Sequence, residues 1–223
     1  MMTLEEKIRE VRIQLRSAMN GVVSHSMRQK GLTYDLNFGV DLPTLRTMAQ
    51  RWDKDHQLAQ ALWKEDIREF KILSGLLQPV ESFTAELANE WAESILNKEV
   101  AEITAMHLFQ HLPYALPISF RWMASSDELM QMCGFLTFSR VLNKEEEELD
   151  ERLSNEFISQ ALCAMKDDSY ALNSASFLAL RKFISKSPKH RAYLMPLLSS
   201  FEQSDNEKEQ KIYLMIQEEL SYL

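Results

Sequence analysis

Short helix-forming segments, separated at regular intervals by capping and helix-breaking residues, run through the whole of this chain. Leu, Ala, Met, Glu, Lys and Gln are abundant, whereas the 223 residues include only five glycines and six prolines. The abundant residue types favour helix, and no alternating run rich in Val, Ile and Thr reaches strand length. The sequence therefore predicts an all-α protein, and we expect one domain spanning residues 1–223.

The capping signals predict thirteen helices between residues 3 and 220. Thr3 and Glu6 have the spacing of a capping box, in which each side chain accepts a hydrogen bond from the other residue's backbone N–H. The tenth predicted helix covers residues 147–165. Other residues suited to cap a helix start are Asp41, Asp55, Ser82, Ser126 and Ser187.

The predicted helix that follows Asp168 indicates how the helices pack. Leu172, Ala175, Ala179 and Phe183 recur at steps of three and four, which is typical of one buried helix face. Small residues on such a face let neighbouring helices approach closely, as they do in stacked helix pairs. An irregular helical bundle would show the same periodicity, so the pattern alone leaves both arrangements open.

Signals for a membrane or for secretion are not evident in the sequence. No apolar run approaches the ~20 residues of a membrane-spanning helix, and the N-terminal segment is too charged for a secretory signal. Cys133 and Cys163 lie among apolar neighbours without a CxxC partner. That setting predicts two buried free thiols in a reducing compartment. We expect a cytoplasmic protein that does not contact membranes.

The charge of the chain is unevenly distributed. The formal net charge is −8, and such a mean field repels a polyanion such as DNA. Between Asp168 and Glu202, however, there is no acidic residue. Positive charges there could bind phosphates, or could simply balance the acidic remainder of the molecule. The basic residues of this stretch are Arg181, Lys182, Lys186, Lys189 and Arg191, with His190 beside them.

The run FGVDLPTLR at residues 38–46 predicts a loop that leads into a helix. Gly39 can adopt the positive φ of a sharp turn. Asp41 can cap the first backbone N–H groups of the helix. Pro43 suits the first turn, where a helix has no N–H bond to lose.

This run, followed by LW at 62–63 and REF at 68–70, resembles the N-terminal part of the AlkD-like DNA alkylation repair family. The resemblance returns at 122–140 and 171–188, and it implies an α-α superhelix of HEAT-like antiparallel helix pairs. The implied function is binding of damaged DNA, with cleavage of the N-glycosidic bond of cationic alkylated purines. The alternative is a catalytically inactive HEAT-like module that binds nucleic acid or a protein partner.

Catalytic members of the resembled family have an Asp four residues after a Trp, where its carboxylate stabilises an oxocarbenium-like sugar. One register places Lys98 at the Trp and Glu102 at the Asp, whereas an ungapped register places Glu93 and Asn97 there. Glu102 is therefore the candidate catalytic residue, the alternative being an ordinary surface glutamate. Lys98 joins the candidate DNA contacts.

Two further family positions are changed and one is kept. Met132 falls where catalytic members carry an Arg, and Leu178 falls where they carry a second Trp. Arg181 retains the expected residue type. The resemblance therefore supports a phosphate contact at Arg181 more directly than it supports catalysis.

Metal and cofactor sites are not predicted. His107 and His111 have the i, i+4 spacing of metal ligands, but no third ligand is evident, which favours a structural histidine. Glycine-rich phosphate-binding motifs and the nucleophile elbow of serine hydrolases are absent from the sequence. The four tryptophans are expected to fill gaps between helices.

Overall fold

A computed structural model describes residues 2–32, 34–144 and 148–223. Within these ranges it contains thirteen α-helices and no strand, which confirms the all-α prediction. No helix in the described ranges is long and apolar enough to cross a bilayer. The helices are α1 (Leu4–Ser17), α2 (Gly21–Gln29), α3 (Leu42–Ala49), α4 (His56–Trp63), α5 (Arg68–Leu77), α6 (Ala85–Glu93), α7 (Lys98–His107), α8 (Ala115–Met123), α9 (Glu128–Val141), α10 (Glu151–Ala164), α11 (Tyr170–Lys186), α12 (Pro188–Glu202) and α13 (Glu207–Ser221).

Most of the predicted caps are present. The Thr3 hydroxyl accepts from the Glu6 N–H and the Glu6 carboxylate accepts from the Thr3 N–H, which completes the capping box. Asp41, Asp55 and Ser187 each accept from backbone N–H groups in the first turn of α3, α4 and α12. The predicted helix starts at these positions are confirmed.

Two predicted caps are wrong, because a neighbouring residue takes the role. Ser82 lies in a short 3-10 turn, and Thr84 caps α6 instead. Asp127 rather than Ser126 caps α9, accepting from the N–H of Met130. The predicted start of the tenth helix at residue 147 lies outside the described residues, and α10 begins at Glu151.

The contacts of the chain divide it into two compact units, Met1–Leu112 and Pro113–Leu223. In the first unit α3, α5 and α7 pack side by side, while α4 packs against both α5 and α1. In the second unit α9, α11 and α13 pack side by side, and α10 and α12 form a second row. Each unit thus stacks helices in two rows. The expectation of a single domain over 1–223 stays a prediction.

The loop into α3 is fixed by a glycine and by buried polar groups. Gly39 has φ +71°, and a Cβ there would lie 2.3 Å from the Asn20 carbonyl oxygen. The position therefore excludes every residue with a side chain. Beneath the loop, the Glu69 carboxylate accepts hydrogen bonds from the N–H groups of Phe38 and Val40, at 3.0 and 3.2 Å.

Arg68 completes this buried network. Its guanidinium bonds both carboxylate oxygens of Glu99, at 2.7 and 2.6 Å, and also donates to the Val40 carbonyl at 2.8 Å. A further bond of 2.9 Å reaches Glu69, and the Arg68 side chain is only 2% exposed. The network ties the loop to α5 and α7, because Glu99 lies on α7 and Glu69 on α5.

Three of the four tryptophans fill the core as predicted. Trp63 and Trp91 stack with their ring centroids 4.0 Å apart, and Trp122 is fully buried. Trp52 differs, because it lies in the turn after α3 and is only half-buried. Trp52 is therefore not a core residue, and the expectation that it fills a gap between helices stays a prediction.

A row of aromatic side chains runs through the core of the second unit. Phe138 stacks on Phe157 at 4.1 Å, and Phe183 lies between Phe157 and the ring of His190. At the α8–α9 contact the helices approach so closely that a Cβ at Gly134 would lie 2.6 Å from the Met123 nitrogen. The predicted face Leu172, Ala175, Ala179 and Phe183 is buried, as expected.

The two cysteines differ in their surroundings. Cys133 is buried in α9, and its burial raises the pKa of the thiol. Cys163 is exposed on α10. The prediction of two buried thiols therefore holds for Cys133 and is wrong for Cys163, whose apolar sequence neighbours turn toward the core while its own side chain points outward.

Candidate functional site

The outer face of α11 carries the positive charge that the sequence singled out. Because Leu172, Ala179 and their neighbours point into the core, Arg181 and Ser185 are exposed and Lys182 and Lys186 are half-buried. These side chains surround a depression of about 480 Å³ beside the C-terminal end of α9. We call it the α9–α11 depression, and its lining residues are Leu142, Asn143, Leu178, Arg181, Lys182, Ser185 and Lys186.

Two lysines of the depression are anchored on the end of α9. Lys182 Nζ donates to the Ser139 carbonyl at 3.5 Å, and Lys186 Nζ donates to the Leu142 carbonyl at 2.9 Å. Carbonyls at a helix C-terminus attract cations. Burial, and the charge of nearby Arg140, lower the pKa of Lys182. Backbone carbonyls thus hold both ammonium groups at the rim of the depression.

Arg181 has an acidic partner within the same unit. Its Nε lies 2.7 Å from a carboxylate oxygen of Glu219, on α13. The Arg181 side chain is 55% exposed and that of Glu219 is 20% exposed. Since a guanidinium has five N–H donors, this contact through Nε leaves the other four N–H groups for further acceptors.

The other basic residues of the stretch are placed differently. Lys189 lies 4.0 Å from Glu148, and Arg191 donates to the Ile184 carbonyl at 3.0 Å. Neither lines the α9–α11 depression. His190 is wholly buried, hydrogen-bonded to the Phe183 carbonyl, and its burial lowers its pKa. His190, the sequence neighbour of these basic residues, is therefore a core residue.

Glu102 lies in the first unit, on α7. Its side chain is 45% exposed and its carboxylate lies 3.7 Å from Lys98, one helical turn earlier. The two residues that one register assigns to the catalytic pair thus form an ordinary i, i+4 ion pair. Glu102 and Arg181 belong to different units.

The remaining family positions show what has replaced the catalytic groups. Met132 is 1% exposed, so its side chain belongs to the core of the second unit. Leu178 is 40% exposed and lines the α9–α11 depression beside Arg181. In the alternative register, Glu93 is exposed at the end of α6 and Asn97 precedes α7 without a capping bond. An aromatic wall at these positions is replaced by aliphatic and polar groups.

The histidine pair is not arranged as a metal site. His107 Nε2 lies 2.9 Å from a guanidinium nitrogen of Arg46, a contact that requires the imidazole nitrogen to accept. His111 lies in the 3-10 turn after α7. In the described parts of the chain, no three His, Cys, Asp or Glu side chains come together as metal ligands would.

Two parts of the site could not be found from the sequence. Leu142 and Asn143 form one wall of the depression, and Glu219 supplies the partner of Arg181. All three are distant from α11 in sequence and carry no motif. Only the packing of α9 and α13 against α11 brings them there.

Comparisons with known proteins agree with this architecture. One solved structure has a TM-score of 0.74 at 16% sequence identity, covering 96% of this chain and 94% of that chain. It is described as representing a new family of proteins related to the HEAT-like repeat DNA glycosylases with affinity for branched DNA structures. This likeness concerns the fold, and it confirms the predicted class of HEAT-like helical repeats. A search of curated proteins gave no match.

The family assignment comes from a sequence model. The model of the family described as DNA alkylation repair enzyme matches residues 11–195. This match spans most of the chain, including the FGVDLPTLR loop, α7 and the basic face of α11. The chain therefore belongs to the DNA alkylation repair enzyme family.

Proposed function

We propose that this chain is a DNA-binding member of its family and that the α9–α11 depression contacts the phosphodiester backbone. The observation that carries the proposal is the convergence of Arg181, Lys182 and Lys186 on one depression. Phosphate contacts by Lys and Arg supply most of the sequence-independent affinity of proteins for DNA. The depression thus provides the local positive charge that the mean charge of −8 lacks.

The hydrogen-bonding state of these residues supports phosphate binding. Lys182 and Lys186 donate to backbone carbonyls, which hold both ammonium groups at the depression. An ammonium has three donors, so each can hold a carbonyl and a phosphate oxygen together.

The test is the salt dependence of DNA binding. Fluorescence anisotropy of labelled duplex DNA and of a labelled four-way junction would be measured for the native protein and for Lys182→Ala/Lys186→Ala. The junction is included because the structurally similar protein is described as having affinity for branched DNA. We expect the double variant to bind DNA more weakly. The slope of log association constant against log salt concentration should become shallower by about 0.9 for each phosphate contact removed.

Arg152→Ala provides the matched control. Arg152 lies in the same unit, is 73% exposed and forms an i, i+4 pair with Glu156. We expect it to bind DNA with native affinity. Unchanged binding by Lys182→Ala/Lys186→Ala, or equal loss in Arg152→Ala, would contradict the proposal. A complete lack of DNA binding by the native protein would direct attention to a protein partner.

Base excision is the second candidate function, with Glu102 as the electrostatic stabiliser. Its support is family membership and the accessible carboxylate of Glu102. The measurement is release of 7-methylguanine or 3-methyladenine from alkylated DNA by the native protein and by Glu102→Gln. Release that the substitution abolishes would establish catalysis, and no release would leave DNA binding as the activity.

The peripheral DNA contacts and the location stay predictions. Lys98, Lys189 and Arg191 would each add a phosphate contact beyond the depression, and single alanine variants in the same anisotropy assay test them. Each is expected to have a smaller effect than Lys186→Ala, because each is placed outside the depression. The cytoplasmic location predicted from the sequence is also kept as a prediction.

A further inference from the structure

A second depression lies in the first unit, between the turn that follows α3 and the C-terminal ends of α5 and α7. Its volume is about 370 Å³, within the range of roughly 300–1,000 Å³ found for small-ligand sites. We call it the Trp52 pocket. The lining residues that matter here are Arg46, Gln50, Trp52, Lys54, Leu76 and His107.

The indole of Trp52 forms an aromatic wall of this pocket. All four tryptophans lie in the described parts of the chain, and Trp63, Trp91 and Trp122 are exposed by only 5%, 2% and 0%. Trp52 alone is half-buried, with part of its ring facing the pocket. A rigid aromatic surface of this kind can stack against another planar ring.

Arg46 brings a positive charge to the pocket without a carboxylate to neutralise it. Its Nη2 lies 2.9 Å from His107 Nε2 and 3.5 Å from the Met106 sulfur, and both partners are neutral acceptors. Among the described residues no carboxylate forms an ion pair with Arg46. The histidine thus orients the guanidinium while leaving its charge available.

Lys54 supplies a second cation. Its Nζ donates to the Leu76 carbonyl at 2.6 Å, at the C-terminal end of α5. Burial lowers the pKa of Lys54, although nearby Glu81 opposes the shift. The ammonium is therefore held in place at the rim by a helix-end carbonyl, as Lys186 is in the second unit.

We propose that the Trp52 pocket binds one unstacked nucleotide of a DNA strand, with its base against the Trp52 ring and its phosphate on Arg46 and Lys54. Aromatic side chains combined with basic groups are the usual composition of single-strand binding sites. The Gln50 amide at the wall can donate to and accept from a base edge. This inference rests on the proposed function, because it takes DNA as the ligand. It assigns a second contact with DNA to the first unit, apart from the α9–α11 depression.

An acidic peptide is less well suited to this pocket than a nucleotide. Carboxylates would satisfy Arg46 and Lys54, but they would leave the face of Trp52 without a planar partner. A nucleotide carries both a planar base and an anionic phosphate, joined by a sugar. The nucleotide is therefore the ligand that uses every group at the site.

The structure supplies a selective reporter, since Trp52 is the tryptophan accessible to a ligand. Native protein would be titrated with a short oligothymidylate while tryptophan emission is recorded. We expect saturable quenching that is absent in Trp52→Phe, whose fold is checked by thermal unfolding. Arg46→Ala should weaken the interaction about tenfold, in line with the loss of a charged hydrogen bond. Thymidine monophosphate, which carries one base and one phosphate, should quench Trp52 at saturation as the oligonucleotide does.

Arg51→Ala is the matched control. Arg51 precedes Trp52 directly in the chain but lines a separate depression with Pro43 and Thr47. It should bind like the native protein, whereas equal loss in Arg51→Ala and Arg46→Ala would overturn the site in favour of general charge attraction. Absence of quenching, quenching retained in Trp52→Phe, or equal quenching by a polyglutamate peptide would also overturn it.

The two proposals fail separately. Lys182→Ala/Lys186→Ala should quench like the native protein, because these lysines lie in the other unit. If the double variant shows the tryptophan quenching of the native protein and also its affinity for the junction, DNA binding by the α9–α11 depression is refuted and binding by the Trp52 pocket stands. If quenching is absent while the double variant loses junction affinity, the pocket is refuted and the depression stands.

Discussion

The loop into α3 and the α9–α11 depression use charged residues in opposite ways. In the loop, Arg68 and Glu69 are 2% and 0% exposed and bond to each other, to Glu99 and to the backbone. In the depression, Lys182 and Lys186 donate to carbonyl oxygens at the end of α9, and their half-buried side chains border open space. The first arrangement buries its charges in mutual bonds, whereas the second places positive charge beside open space, where a ligand can reach it.

This difference separates evidence for the fold from evidence for function. FGVDLPTLR and REF carry the family resemblance, and both belong to a buried network that shapes the backbone. Of these residues, Arg46 lines a proposed site, the Trp52 pocket, whereas the buried network lines none. Function has to be argued from the exposed groups, and among these Leu178 departs from the catalytic pattern whereas Arg181 keeps it. Membership of a repair family is therefore compatible with a site built for binding.

The largest effect is expected for Arg68→Met. Removing Arg68 leaves the buried carboxylate of Glu69 and the half-buried carboxylate of Glu99 without their counter-charge, and breaking a buried pair costs about 3–5 kcal/mol. The free energy of unfolding, from urea titration, should fall by this amount. Arg152→Met, at a 73% exposed position, should change it by about 0.5 kcal/mol or less. Similar stability losses for both variants would contradict the structural role of the network.

Lys182→Ala/Lys186→Ala should show the reverse behaviour. DNA affinity should fall at least tenfold, because a hydrogen bond to a charged group contributes about 1.5–3 kcal/mol. Stability should fall by about 2 kcal/mol or less, since each of the two lysines gives up one bond to a helix-end carbonyl worth about 1 kcal/mol. Anisotropy and urea unfolding on the same samples measure both quantities. A stability loss as large as that of Arg68→Met would remove the contrast between the two regions.

Acid should destabilise the protein through His190. Burial lowers its pKa in the folded chain, and Lys186 and Lys189 lower it further while Glu148 and the Phe183 carbonyl raise it. The unfolded chain therefore binds the proton more readily. The stability from neutral His190 is complete above about pH 6.5 and decreases as the pH falls below it, by up to about 1.4 kcal/mol for each pH unit.

Thermal unfolding across this pH range measures the effect. His190→Phe should reduce the pH dependence, because the phenyl ring can stack on Phe183 without titrating. His25→Phe, at an exposed position on α2, should retain it. If His190→Phe keeps the full dependence, the titrating group lies elsewhere.

The smallest effect is expected for Glu219→Gln. Neutralising this carboxylate releases the Arg181 guanidinium from its 2.7 Å ion pair, which should strengthen DNA binding about two- to fivefold, in keeping with a partly exposed pair. Glu218→Gln, at an exposed neighbouring position, removes the same charge without touching that pair. Equal gains in both variants would show a general charge effect in place of release of Arg181.

Much of the fold was predictable from local chemistry. The Thr3 capping box, the Gly39 turn and the buried face of α11 depend on residues close together in sequence, and each is confirmed. The errors at Ser82 and Ser126 arose because an equally good cap stood one or two residues away. Local signals fix that a helix begins, but several polar residues compete for its first turn.

The candidate site was predictable only in part. The absence of acidic residues around Arg181 located the basic face, since charge is visible in sequence. The role of Glu219 and the burial of His190 depend on packing between helices, which no local pattern reports. The same holds for Trp52, which sequence spacing could not distinguish from the three core tryptophans.

Lysine footprinting tests the central claim most directly. The protein would be acetylated at limiting reagent, with and without a saturating four-way junction, and modification at each lysine read by mass spectrometry. Lys182 and Lys186 should be protected by DNA, whereas Lys64, exposed at the end of α4, should react equally in both samples. Protection of Lys64 with unchanged reactivity at Lys182 and Lys186 would contradict the account.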